Sequence, residues 1–149
     1  MGLFDKRDLS VKLSTFNLEF NLEMYKRISE SDHDQMVRDV YNHLISEGFS
    51  NVNATLEGLP QPDRIYWKST GNGHIPDVTA NNNGNHNLFE IETDDSIFDQ
   101  HTEDQWKLFA AHARQHGKTF RVVVPKGSEA SAQLRLTHLG IQVEVWTVG

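Results

Sequence analysis

Apolar residues recur at helical spacing between Asp32 and Glu47, where Met36, Val37, Val40, Tyr41, Leu44 and Ile45 share one side. The spacing predicts a helix there, with Gly48 as its stop signal. Val52–Leu56 reads as a strand, and Arg64–Lys68 is a further candidate after the breakers Pro60 and Pro62. Ile75–Ala80 and Leu88–Thr93 predict two strands on either side of the polar run NNNGNHN. A second helix begins at Thr102 with a capping-box pattern, Thr102-x-x-Gln105. Its apolar stripe is Trp106, Phe109, Ala110 and Ala113, and Gly117 closes it. Phe120–Val124 is a nearly continuous apolar run, as in a buried strand. A short helix over Glu129–His138 and a strand over Ile141–Trp146 complete the pattern. The predicted order, α-β-β-β-α-β-α-β, makes this an α/β chain, a mixed β-sheet with helices on both faces. Residues 1–30 have no clear core period despite Phe16, Phe20 and Tyr25. They fit an appended strand pair, an arm over a partner subunit or partial disorder, so they are set apart as an extension to a domain over residues 31–149.

The polar run carries the most specific local signal. Asn83-Gly84 is the preferred pair for a two-residue type I′ hairpin, in which both positions need positive φ. With those two residues as the loop, Asn82 pairs with Asn85 and Asp77 falls opposite Glu90. A slip of one residue puts Leu88 or Glu92 there instead, on the same face, because side chains alternate with period two. Any two-residue turn therefore places Asp77, Glu90 and Glu92 together. Opposed like charges destabilise a sheet, so a positive group is expected between them. Hard oxygen ligands favour Mg²⁺ or Mn²⁺. The alternative is a solvated acidic face, against which stand the helices expected to cover both sides of the sheet.

Charge and composition narrow the classes. The chain has 149 residues, enough for one domain with its own core. It has no cysteine, which removes thiolate metal sites, cysteine nucleophiles and disulfides and fits a reducing compartment. No stretch approaches the ~18–20 apolar residues of a membrane span, and a soluble, cytoplasmic protein is expected. The 21 acidic against 14 basic residues give a net charge of −7, which argues mildly against broad nonspecific binding to nucleic acid. Arg64, Lys68, Arg114, Lys118, Arg121 and Lys126 are scattered rather than clustered.

With Pro76-Asp77 and Glu90-Ile91-Glu92 in this order, the chain resembles the PD-(D/E)XK nuclease superfamily over roughly residues 33–147. Pro76-Asp77 stands for the PD element and Glu90-Ile91-Glu92 for the (D/E)-x-K element, with Glu92 where the family usually has lysine. Some restriction enzymes of the superfamily carry a Glu-x-Glu version and remain active. Lys68 and Lys107 are candidates for the displaced lysine, Lys107 also reading as a solvated helix residue. The acidic residue near the start of the family's first helix is matched by Asp34, with His33 and Asp39 competing. Gln105 and Phe109 resemble the Gln-x-x-x-aromatic signature of RecB-like members, unless Gln105 serves only the capping box.

The resemblance implies a restriction endonuclease-like core and metal-assisted hydrolysis of a phosphodiester in nucleic acid, DNA first. Asp77, Glu90 and the Ile91 carbonyl would hold Mg²⁺ or Mn²⁺, and Glu92 would act as base or orienter of the attacking water. Activity should then fall in mild acid, where protons compete with metal. Gln105 joins these as a candidate catalytic residue, and a homodimer is expected because small relatives often form one. The rival reading is a catalytically inactive nuclease fold that binds nucleic acid or protein. His74 could approach a bound phosphate, whereas His101 and His112 read as surface residues and Asp94 and Asp95 as turn or cap residues.

Overall fold

In a computed structural model the backbone is described over residues 6–149 and the side chains over 21–24 and 29–149. The chain divides into two compact units, Met1–Asp32 and His33–Gly149. Helix α1 covers Lys6–Ser46. This overturns the strand pair for residues 6–30. No Gly or Pro interrupts Lys6–Ser46 and β-branched residues are sparse, so local propensity favours helix even without an apolar stripe. Residues 1–5, and the side chains of Phe16, Phe20 and Tyr25, lie outside the described residues.

In the His33–Gly149 unit, Met36, Val37, Val40 and Leu44 of α1 are buried. Ile45 is 49% exposed, so the apolar stripe is narrower than its spacing implied. Gly48 ends the helix at φ +86°, with the Phe49 N–H donating to the Leu44 carbonyl at 3.0 Å. The strands that follow are β1 (Ser50–Ala54), β2 (Ile65–Tyr66), β3 (Gly73–His74), β4 (Val78–Asn82) and β5 (Asn85–Ile91). Next come α2 (Gln100–His116), β6 (Thr119–Pro125), α3 (Glu129–His138) and β7 (Glu144–Val148).

The five-stranded sheet runs β1-β4-β5-β6-β7. β1, β4 and β5 are antiparallel, while β5, β6 and β7 are parallel. Each face has its own core. On one, α1 packs on Val78, Ala80, Phe89 and Ile91. On the other, Trp106, Leu108 and Phe109 of α2, with Ala132 and Leu136 of α3, cover Leu88, Phe120, Val122 and Val124. The expected mixed α/β sheet with helices on both faces is therefore present.

Several boundaries differ from expectation. The Arg64–Lys68 strand shortens to β2 and pairs with β3 in a separate two-stranded ribbon. The Ile75–Ala80 strand begins only at Val78, after Pro76, whose missing N–H cannot join a ladder. The capping box is also overturned: α2 starts at Gln100, so Thr102 lies inside the first turn, and its hydroxyl donates to the Ser96 carbonyl at 2.7 Å. β7 begins at Glu144 rather than Ile141, because the Ile141 N–H closes α3 by donating to the Leu136 carbonyl at 2.9 Å.

The hairpin keeps its expected register. Asn82 pairs with Asn85 and Val78 with Phe89, and Asn83 (φ +51°) and Gly84 (φ +82°) form the turn. Gly84→Ala would place a Cβ in open space but in left-handed backbone. We expect a loss of about 1–2 kcal/mol in urea denaturation, from conformation alone.

Candidate functional site

One step beyond the Val78–Phe89 pair, the same register brings Asp77 opposite Glu90. Alternation turns Glu90 toward the α2–α3 layer, since Phe89 and Ile91 pack on the α1 side, while Asp77, just before β4, reaches His33 of α1. Glu92 follows on that face, its N–H donating to the Val123 carbonyl at 2.9 Å to extend the ladder onto β6. The strand end is held from β1: the Thr55 N–H donates to the Asp77 carbonyl and its hydroxyl to the Pro76 carbonyl, both at 2.8 Å.

Burial decides between the two readings of this face. Asp77 is 8% exposed, Glu90 2% and Glu92 6%, so the solvated acidic face is excluded. Asp77 Oδ2 accepts from the Ile91 N–H at 2.8 Å. Glu92 Oε2 accepts from the Ser96 hydroxyl at 2.5 Å. Glu90 Oε2 is buried without a hydrogen-bond partner among the described residues. Burial first, and then the neighbouring Asp77 carboxylate, pushes Glu90 well above the usual carboxylate range. Burial likewise raises Glu92 to about 7, with Asp77 adding to the rise and the Ser96 hydroxyl opposing it.

The positive group expected between these acids is His33 of α1. Its Nε2 lies 3.2 Å from Asp77 Oδ2 and 3.0 Å from the Ile91 carbonyl. Because that carbonyl only accepts, Nε2 carries the proton. Burial alone would lower the pKa of His33, but the hydrogen bond to Asp77 and the charges of Asp77 and Glu92 outweigh it and lift it to about 9. Asp34 stands behind the ring, Oδ1 lying 3.6 Å from Nδ1, with a side chain 64% exposed. Asp34 therefore supports His33 rather than joining the cluster, and Asp39 pairs with Gln35 at 2.9 Å on the exposed side of the helix.

The remaining candidates divide. Lys107 is half-exposed and pairs with Glu103 at 3.2 Å, so it is a surface residue, and Lys68 lies on the β2–β3 ribbon rather than beside the acids. Gln105 is half-buried and makes no side-chain hydrogen bond among the described residues, and its capping role is gone. Asp94 and Asp95 form a 3-10 turn with Ser96, Asp94 accepting from the Ser128 hydroxyl at 2.8 Å and Asp95 from the Thr93 hydroxyl. His74 and His101 meet edge to face, centroids 5.2 Å apart.

Among the described residues no group of three or more His, Asp or Glu side chains forms a finished metal-ligand set. The donor chemistry nevertheless fits a hard divalent cation. Two carboxylates and a carbonyl converge, one carboxylate oxygen is unpartnered, and a cationic ring already bonds Asp77 and the Ile91 carbonyl. No protein-family model, curated protein or solved structure matches this chain.

These groups make stability depend on pH in an unusual direction. Glu90 and Glu92 are raised above the ordinary value near 4.5, and Glu92 to about 7, so the folded state binds more protons than the unfolded state across that window. Their contribution is present in mild acid and lost as pH rises towards neutrality. His33 contributes fully below its ordinary value of 6.5 and loses that contribution as pH passes about 9. His112, lowered to about 4 by burial, and His74 act in the opposite sense below pH 6.5, so the melting temperature in chelator should fall from about pH 6.5 to pH 9. Between pH 5 and pH 7, the melting temperature of Glu92→Gln should be less favoured by acid than that of the wild type; a wild-type curve rising between pH 6.5 and pH 9 would refute the assignment.

Proposed function

We propose that this chain is a metal-dependent phosphodiesterase acting on nucleic acid, DNA first, on a restriction endonuclease-like fold. The observation that carries the reading is the buried set Asp77, Glu90 and Glu92, one oxygen of which has no partner among the described residues. The fold supports it as well. With the β2–β3 ribbon set aside, the element order is α-β-β-β-α-β-α-β, an antiparallel trio continued by parallel strands. Pro76-Asp77 and Glu90-Ile91-Glu92 occupy the adjacent ends of the hairpin strands, as the resemblance implies.

Asp77, Glu90 and the Ile91 carbonyl would hold Mg²⁺ or Mn²⁺. Bound there, the ion would polarise the scissile phosphate and lower the pKa of a coordinated water. Glu92, near half-ionised at neutral pH, accepts the proton of the attacking water, and the Ser96 hydroxyl orients its carboxylate. The Ile91 N–H holds Asp77 in place, and Thr55 holds the backbone beneath it. In the metal-free protein His33 supplies the local positive charge. Loading requires it to release Asp77 and the Ile91 carbonyl.

A second reading, an inactive nuclease fold that binds nucleic acid, draws on one observation: His33 already engages two of the three proposed metal ligands. Calorimetric Mn²⁺ titration at pH 7.5 separates the two. The wild type should bind saturably, and Asp77→Asn and Glu90→Gln should lose binding together with at least 100-fold of any Mg²⁺- or Mn²⁺-dependent cleavage of DNA. Absence of wild-type binding, with and without a DNA duplex, would favour the inactive fold.

His33→Ala gives an independent check. Removing the resident cation should tighten Mn²⁺ binding several-fold in the same titration. Weaker binding would make His33 a ligand rather than a competitor.

A further inference from the structure

The β2–β3 ribbon pairs with no strand of the five-stranded sheet and gives its core only Ile65, and it is built to a tight tolerance. Ile65 pairs with His74 and Tyr66 with Gly73. The Trp67 N–H donates to the Asn72 carbonyl at 2.9 Å, and the Gly71 N–H returns to the Trp67 carbonyl at 2.8 Å. Arg64 clamps the loop through the Gly71 carbonyl at 2.8 Å. A side chain at Gly73 would meet the Ile65 carbonyl at 2.3 Å, so only glycine permits this closeness.

A ribbon so constrained holds its aromatic residues outward. Tyr66 is 54% exposed and Trp67 37%, an arrangement that packing alone does not explain. Facing them, α2 supplies His112 and His116, whose rings lie 4.4 Å apart and inclined by 38°. Between ribbon and helix lies a cleft of about 340 Å³ lined by Tyr66, Trp67, Lys68, His112 and His116 among others. In a chain of net charge −7, none of its lining residues is acidic. The Arg64 guanidinium lies 5.6 Å from the Tyr66 ring centroid at its margin.

Flat π-faces with cations beside them, and no carboxylate, match the chemistry of an unpaired base and its flanking phosphates. We infer that this cleft is a stacking subsite for one unpaired base of a single-stranded nucleic acid, with Trp67 as the platform and Lys68 and Arg64 meeting the adjacent phosphates. The inference rests on the nucleic-acid reading of the preceding section, but not on catalysis. A pocket of this size admits one base and its sugar, not a duplex. DNA and RNA share this chemistry.

The test is fluorescence anisotropy with labelled oligo(dT), oligo(rU) and a DNA duplex, in chelator so that no cleavage occurs. The wild type should bind the single strands. Trp67→Ala should weaken that binding at least tenfold, and Trp67→Phe, which keeps a π-face, less than threefold. Lys68→Glu should weaken it and reduce the salt dependence by about one counterion. Duplex binding should not change in Trp67→Ala or Trp67→Phe. Trp67 lies on the surface, and a thermal melt matching wild type verifies that the variants fold. Single-strand binding unchanged in Trp67→Ala, or absent from the wild type, would overturn the subsite. Binding lost with Trp67 in a protein that never cleaves would keep the subsite and remove the nuclease reading. Metal-dependent cleavage with Trp67→Ala binding unchanged would do the reverse.

Discussion

The type I′ turn at Asn83-Gly84 sets the register of β4 on β5, and that register makes two buried carboxylates, Asp77 and Glu90, face one another. An uncompensated buried charge costs several kcal/mol, and two of the same sign in one place cost more. The surrounding structure answers that problem in three ways. The Ile91 N–H donates to Asp77, a cationic ring from α1 meets the same oxygen, and burial with like charge pushes Glu90 well above the usual carboxylate range. Thr55 and Ser96 make hydrogen bonds that keep these groups from relaxing apart.

Which ion neutralises the cluster then becomes the functional question. His33 contributes one positive charge, whereas a divalent ion would supply two and accept the carboxylate oxygens as ligands. Nε2 contacts Asp77 and the Ile91 carbonyl, two of the oxygens proposed above as metal ligands, so the two cations would compete for them. A lysine at position 92 would have supplied a fixed charge from the strand itself. With Glu92 there, the charge comes from a helix 44 residues before Asp77. Glu92 makes the cluster more acidic than a lysine there would, and hence more dependent on whatever cation it receives.

The readable parts of this site were those governed by short-range rules. Turn chemistry at Asn83-Gly84 and side-chain alternation suffice to bring Asp77, Glu90 and Glu92 together, and both held. The helical stripes of α1 and α2 and the apolar run of β6 were equally plain. What escaped depends on distant contacts. His33 could be noticed as a candidate near Asp34, but nothing local says that its ring reaches Ile91. Ser96 gave no signal, since a serine in a turn is unremarkable until a buried carboxylate lies beside it. The two-residue strands β2 and β3 are too short to show a period, and Thr102-x-x-Gln105 matched a capping box only because the true helix start, two residues earlier, carries no side-chain cap.

The cleft and the cluster lie along the same helix. Thr102, in the first turn of α2, binds the turn that carries Ser96, while His112 and His116 near its other end form a wall of the cleft. At 1.5 Å per residue, Thr102 and His112 are ~15 Å apart along the axis, a few nucleotides of an extended strand. A helix is rigid over that length, so it fixes the separation between the proposed base subsite and the proposed cleavage site. A module that only bound single strands would need the cleft but gain nothing from burying three carboxylates at that distance. An enzyme would use both. The helix thus ties the costly acids to the exposed aromatics, a connection that neither feature supplies alone.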